Sequence, residues 1–240
     1  MKTFLYYFSF VLGLALAVVV NVLTGKKRGI AGKQVALYTV LGFIGAVAGA
    51  MLMARLYNLS LTALCPGESF PPSNMSLYGG LLFMPLFMLL PLRIRRMEAN
   101  DFFTLIAPGV FALLGVAKLG CLSYGCCYGI SCGWGIYNEF AGETVFPVQL
   151  LESLLNFGIA FVCYKLAAHR QCRTVYPIGL VLYGVIRFFI QLLRHSDVTA
   201  DRGLFGVMDF WQLISVIAVV SGGIWLLCMK ATKIRAVPEN

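Results

Sequence analysis

The sequence predicts an all-α membrane protein: one bundle of about seven transmembrane helices, N-terminus outside and C-terminus cytoplasmic. Three observations carry this. Hydrophobic residues make up 60% of the 240-residue chain and charged residues only 12%, about half the charged share of an ordinary soluble domain. The chain therefore cannot coat a globule with polar side chains. Apolar runs close to the roughly 20 residues of a membrane span recur along the whole length. Lysine and arginine gather in alternate short loops, as the positive-inside rule requires. Residues 1–240 read as a single polytopic domain. The net charge of +9 reads as that loop bias and as attraction to anionic headgroups. No basic stripe is interleaved with aromatics, so nucleic acid is not an expected partner.

Each span follows in order. The first apolar run is Phe4 to Leu23, with Lys2 before it and Lys26, Lys27, Arg28 and Lys33 after it. A signal peptide carries its positive charge in front, so this run reads as a span whose far end is cytoplasmic. The second covers about Val35 to Tyr57, and the loop after it, "CPGESFPPSN", has no lysine or arginine and reads as external. The third, Leu77 to Leu92, ends at Arg93, Arg95 and Arg96, on the inside. The fourth, about Phe102 to Leu119, runs outward into "KLGCLSYGCCYGISCGWG". The fifth, about Val148 to Leu166, returns to "KLAAHRQCR". The sixth, about Pro177 to Leu193, leads out to "RHSDVTADRG", and the seventh, Met208 to Met229, returns to "KATKIRAVPEN".

Polar residues inside apolar spans are costly and mark a function or a buried ion pair. Arg187 lies deep in the sixth span, with Tyr183 one turn before and Gln191 one turn after it. Spacing of i, i+4, i+8 puts the three on one face. Either the arginine pairs with an acid on another helix, or it grips a phosphate or carboxylate. Glu152 and Gln149 share a face at the start of the fifth span. The helix dipole favours a carboxylate there, and Arg187 or Lys118 is its natural partner. Gly79 and Gly80 open the third span and permit close backbone approach. All three places reach the outer half of the bundle, which suggests a polar cavity facing the outer leaflet.

The segment 118–140 holds Cys121, Cys126, Cys127 and Cys132 among five glycines. Adjacent cysteines seldom ligate one metal, and structural zinc sites favour C-x2-C or C-x4-C pairs with a second pair farther on. No metal is therefore expected. A Cys121–Cys132 disulfide, or one to Cys65, suits an external segment. A reactive thiolate beside Lys118 or Arg187 is the other chemical reading, since positive charge lowers a thiol's pKa. Cys163, Cys172 and Cys228 read as small packing residues.

The order "LYGG", "AKLGCLSYGCCYG", "FPVQLLE", "YGVIRFFIQLLR" resembles the bacterial prolipoprotein diacylglyceryl transferase family, over about residues 76 to 195. That family moves the diacylglyceryl group of phosphatidylglycerol onto a cysteine thiol of a lipoprotein precursor, at the outer face of the inner membrane. Glycerol phosphate is released. Several positions depart from the family pattern. Tyr78 stands where a histidine is usual. The Gly-Arg-x-Gly-Asn signature reads Ala117, Lys118, Leu119, Gly120, Cys121, and its glutamate falls on Cys126. The His-Pro-Ser-Gln-Leu-Tyr-Glu element reads Phe146 to Glu152, and Tyr-x3-Arg-x3-Glu reads Tyr183, Arg187, Gln191. Tyr6 and Tyr7 align with no family tyrosine.

The resemblance implies a phospholipid-dependent transferase with phosphatidylglycerol and a lipoprotein precursor as partners and no cofactor. Arg187 and Lys118 would hold the phosphate, Glu152 would orient one of them, and Tyr78 would donate to glycerol oxygens. Cys126 would replace the carboxylate or act as a nucleophile. Tyr183, Gln149, Gln191, Gly79, Gly80, Gly120 and Gly125 would form the lipid-binding wall. Two other readings stay open at this point: a non-catalytic or transport-type anionic-lipid-binding relative, and a membrane thiol–disulfide oxidoreductase.

Overall fold

The computed structural model describes residues 2–64, 77–94, 98–169, 172–195 and 209–235. Among them run seven helices: α1 Lys2–Arg28, α2 Gly32–Leu64, α3 Leu77–Ile94, α4 Ala99–Tyr124, α5 Val148–Ala168, α6 Val175–Gln191 and α7 Phe210–Arg235. Five of them are long and apolar enough to cross a membrane, while α6 and the Tyr78–Leu89 part of α3 are shorter apolar stretches. The number and placement of the expected spans are matched, and the chain is a multi-pass membrane protein. Cys65 and the "CPGESFPPSN" loop, Arg95 and Arg96, most of "RHSDVTADRG" and the last five residues lie outside the described residues.

Helix α4 is the axis of the bundle. Its apolar window is 78% buried, against 28–39% for the other long spans. Phe4, Leu86, Leu154, Phe161, Phe189 and Leu227 are exposed on the outer faces, as apolar side chains are where the bilayer is the solvent. Pro108 lies inside α4, where its ring clashes with the carbonyl four residues back and disturbs the helical ladder. The next amide, Gly109 N–H, donates across to Asn21 Oδ1 of α1 at 2.8 Å. Asn21 Nδ2 in turn donates to Thr39 Oγ1 of α2 at 3.1 Å. A side chain at 109 would collide with Asn21, so glycine is what lets the amide find its partner. In hydrocarbon no water can take over such a bond.

Small residues set the closest helix approaches, as membrane packing favours. An added Cβ at Gly79 would meet Gly49 O of α2 at 2.4 Å, and at Gly120 it would meet Ser9 Oγ of α1 at 1.9 Å. Helices α1 and α4 run antiparallel, with Tyr6 against Tyr124 at one end and Arg28 against Asp101 at the other.

A feature the apolar runs did not announce joins α4 to α5. Strands β1 (Ser131–Asn138) and β2 (Glu143–Val145) pair antiparallel, with a bulge that sets both Ser131 and Ile136 opposite Val145. This hairpin is tied to the end of α6. Ile130 N–H donates to Leu193 O at 3.0 Å, and His195 N–H to Tyr128 O at 3.3 Å. The turn that carries Arg194 is thereby fixed beside the cysteine segment.

Candidate functional site

Glu152 sits one turn into α5, and its carboxylate is the point where three elements meet. Lys118 of α4 places Nζ 2.8 Å from Oε1, and Arg187 of α6 places Nε 3.5 Å from the same oxygen. Arg194, in the turn after α6, places Nη2 3.1 Å from Oε2. All four side chains are at most 8% exposed. Three cations against one carboxylate leave a formal excess of two positive charges (3 − 1 = 2) in a buried space. Burying unmatched charge is expensive, so such an excess asks for an anion. The orphan donors point the same way: among the described residues Arg187 Nη1 and Arg194 Nε have no hydrogen-bond partner.

The α5 face around Glu152 is polar for three turns. Gln149 Nε2 donates to Cys126 O at 2.7 Å, Ser153 Oγ to Gly115 O at 2.8 Å, and Asn156 Nδ2 to Glu152 O at 2.7 Å. These bonds fasten α5 to α4 and to the cysteine loop. Tyr183 is buried beside Tyr78, their ring centroids 5.4 Å apart. The Tyr78 hydroxyl bonds Ser215 Oγ, which itself donates to Trp211 O of α7 at 2.7 Å. Gln191 Nε2 donates to Asp209 Oδ2 at 2.6 Å, and Asp209 caps the α7 N-terminus through Oδ1 and the Gln212 amide at 2.7 Å. Gln191 thus ties α6 to α7.

Of the glycines expected in the lipid wall, Gly79 is placed by its contact with α2 and Gly120 by its contact with α1. Gly80 does line a cavity, described below. Gly125 ends α4 in the left-handed conformation, φ 94°, with its N–H bonded to Cys121 O at 2.9 Å, the usual device for stopping a helix.

The described cysteines are all free thiols, so no Cys121–Cys132 disulfide is present. The sulfurs of Cys121, Cys126 and Cys127 instead cluster within 4.8 Å of one another. The spacing argued against adjacent cysteines sharing one centre, because neighbouring side chains normally diverge. Cys127 overcomes this with φ 61°, a conformation rare outside glycine and often found where function demands it. Cys127, not Cys126, meets the cations, its sulfur lying within electrostatic reach of Arg194 and Lys118. Hydrogen bonds with the Cys121 and Cys126 thiols, helped by Arg194 and Lys118, hold the Cys127 thiol well below the ordinary thiol range. Bonding to Cys121 and Cys127 pushes Cys126 the other way.

Two cavities flank this centre. One, of about 220 Å³, is almost wholly apolar and runs between α1, α2, α3 and α4, with Gly80, Met84, Val110 and Tyr6 in its wall. Tyr6 also stands within electrostatic reach of all three clustered sulfurs. The other, of about 230 Å³, lies between the end of α4, the hairpin and the start of α5, with Gly125, Asn138 and Gln149 in its wall.

Sequence reasoning brought Lys118, Glu152 and Arg187 together correctly and missed Arg194, Cys127 and Tyr6. Arg194 had a signal, since it stands seven residues after Arg187, the spacing that would share a face were the helix to run on, although α6 ends at Gln191. Tyr6 lies far from every other site residue in the chain and had none.

Fold and site together define a multi-pass membrane protein with a buried cationic chamber and an apolar cavity among its helices. A family model for prolipoprotein diacylglyceryl transferase matches residues 2–229, and the chain belongs to that family. The phosphatidylglycerol–prolipoprotein diacylglyceryl transferase 2 of Clostridium perfringens is 24% identical over 250 residues, covering 100% of this chain and 95% of the relative. The enzyme of that name from Clostridium tetani is 25% identical, covering 92% and 91%. That from Nitratidesulfovibrio vulgaris is 29% identical, covering 79% and 74%.

Proposed function

We propose that this chain transfers the diacylglyceryl group of phosphatidylglycerol to the cysteine thiol of a lipoprotein precursor. It does so as a single polytopic domain of a bacterial inner membrane, with its site facing the outer leaflet. The observation that carries the reading is the cation excess around Glu152, with Arg187 Nη1 and Arg194 Nε left open to an anion. A phosphodiester brings one negative charge and acceptor oxygens that suit a guanidinium fork. The apolar cavity, whose wall includes Leu114 one turn before Lys118 on α4, offers room for an acyl chain.

Orientation follows from the ends of the bundle. Lys26, Lys27 and Arg28 close α1 at the end where α4 begins. The α1 N-terminus, the hairpin and the Glu152 chamber share the opposite end. The basic end suits the cytoplasm, which puts the chamber outside.

In the transfer, the acceptor sulfur attacks the glyceryl carbon that carries the phosphate oxygen. A C–S bond forms, the C–O bond breaks, glycerol phosphate leaves with the electron pair, and the thiol's proton passes to solvent. Arg187 and Lys118 stabilise the charge that develops on the departing oxygen, from positions fixed beforehand by Glu152. Incubating the purified chain with phosphatidylglycerol labelled in its acyl chains and a precursor peptide should move label onto the peptide. Label that stays in lipid in folded, lipid-binding protein would leave a lipid-binding relative without chemistry.

A further inference from the structure

We propose that Cys121, Cys126 and Cys127 form a three-sulfur site for a soft divalent cation of the zinc class, whose open fourth position takes the acceptor thiol. The proposal rests on the transfer reading above and adds to it how the thiol is activated. Zinc holds thiolates at about 2.3 Å in a tetrahedron, which sets its sulfurs about 3.8 Å apart. Three sulfurs already within 4.8 Å of one another need only small rotations to meet that geometry. Three protein ligands with one place vacant is the pattern of catalytic zinc, whereas structural sites are closed by a fourth ligand.

The surroundings suit such a centre. Three thiolates and a dication sum to one negative charge, which the cation excess around Glu152 offsets. Arg194 bonds Glu152 at 3.1 Å and stands within electrostatic reach of the Cys127 sulfur, so it links the two halves as an outer-shell cation. Gln149 holds Cys126 O and Gly125 N–H holds Cys121 O, which fixes the backbone on either side of the sulfurs. The φ of 61° at Cys127 is the conformational cost of bringing the third sulfur in. A second cavity, whose wall holds Leu122, Ser123, Tyr124, Gly125 and Gln149, adjoins the cysteine segment in sequence and gives a peptide room beside it.

The chemistry balances without an oxidant. When the acceptor sulfur joins the cation its S–H proton passes to bulk water, because a coordinated thiol is deprotonated outright. The bound thiolate then attacks the glyceryl carbon, the C–O bond to phosphate breaks, and the departing glycerol phosphate carries the electron pair. This chain has no carboxylate at 126 and no histidine at 78, and a coordinated thiolate needs no side-chain base.

Cadmium titration of the full chain, purified in detergent under reducing conditions, tests this through thiolate-to-cadmium charge-transfer absorption. One cadmium per chain should bind, displaceable by zinc. Affinity should fall by about 100-fold in C121S, C126S and C127S, at the upper end of what even an outer-shell change costs. C132S, outside the cluster, should match wild type. No band, or one unchanged in the three variants, overturns the site. Should a variant misfold, mass spectrometry of alkylated wild-type protein decides instead: bound metal should protect Cys121, Cys126 and Cys127, and equal alkylation with and without metal overturns the site. A peptide with one free cysteine should raise the cadmium band further; no rise overturns the acceptor role. Transfer undiminished in protein shown to be metal-free overturns the proposal and leaves the transfer reading standing. Cadmium binding without any lipid transfer supports the site and sinks the transfer reading with the acceptor role.

Discussion

Two arginine clusters lie at opposite ends of the bundle, and they are built on different logic. At the basic end, Arg28 Nη1 donates to three backbone carbonyls, Ala167 O at 3.0 Å, His169 O at 3.3 Å and Cys172 O at 3.3 Å. Its Nη2 lies 3.7 Å from Asp101, which Arg173 also approaches at 3.1 Å. That arginine caps the C-terminal end of α5, where a cation is favoured by the dipole. At the other end, Arg187 and Arg194 meet one carboxylate and keep donors with no partner among the described residues. A buried arginine whose donors are used up by backbone carbonyls is holding the fold. One that faces an excess of its own charge is waiting for a ligand.

The largest expected effect breaks the second cluster at its centre. Glu152→Gln takes from three cations the carboxylate they share, and loss of one partner of a buried pair costs about 3–5 kcal/mol. Thermal unfolding in detergent should show that loss, and transfer should disappear. Asp101→Asn, the matching change at the basic end, should cost about 1 kcal/mol or less, since Asp101 is 29% exposed and partly solvated pairs contribute little. Equal costs at the two ends would remove the contrast.

Arg187→Ala should come next and should act on function more than on fold. Removing a preorganised charge from the transition state costs about 100-fold or more in rate. Arg187→Lys should not restore it, because an ammonium cannot reproduce the guanidinium fork. Arg28→Ala should lower the unfolding temperature while the affinity for phosphatidylglycerol stays the same. A drop in that affinity would show that the basic end also takes part in lipid binding.

The contrast also explains what the sequence could tell. Apolar runs near the length of a bilayer identified all seven helices, because hydrocarbon demands long unbroken apolar stretches. Glu152, Arg187 and Lys118 were legible because a charge inside such a run has no ordinary reason to be there. The β1–β2 hairpin was not legible, because the bulge between Ser131 and Ile136 breaks the alternation by which a strand is recognised. The cysteine cluster was hidden by adjacency. Only the left-handed backbone at Cys127 turns neighbouring side chains toward one point, and a residue's φ is not written in its spacing. Gly79 was assigned to the lipid wall on the same signal that α2–α3 packing produces, since close approach to a helix and to a ligand both call for a missing Cβ.

A milder change probes the polar link between α1, α2 and α4. Asn21→Leu removes the acceptor of Gly109 N–H and the donor to Thr39. Polar contacts between membrane helices contribute about 0.6–2 kcal/mol, so a loss in that range is expected from unfolding measurements. Neither cluster touches Asn21, but it stands in the wall of the apolar cavity, so in the folded fraction the change should appear in KM for the lipid while kcat holds.

The smallest effect belongs to the shortest ion pair among the described residues. Lys2 Nζ lies 2.6 Å from Glu139 Oε2, closer than Lys118 to Glu152, yet the two side chains are 49% and 70% exposed. Water screens both charges, and holding two long side chains in place costs entropy, so exposed pairs give only about 0–1 kcal/mol. Lys2→Ala should therefore leave the unfolding temperature within error at physiological salt. A clear loss would mean that tying α1 to the hairpin matters beyond the pair's own energy, since both side chains stand in the wall of the cavity beside Gln149. Distance alone does not rank these three places. Lys2–Glu139 is short and solvated, Arg28 is buried and matched, and Glu152 is buried with more cations around it than it can neutralise.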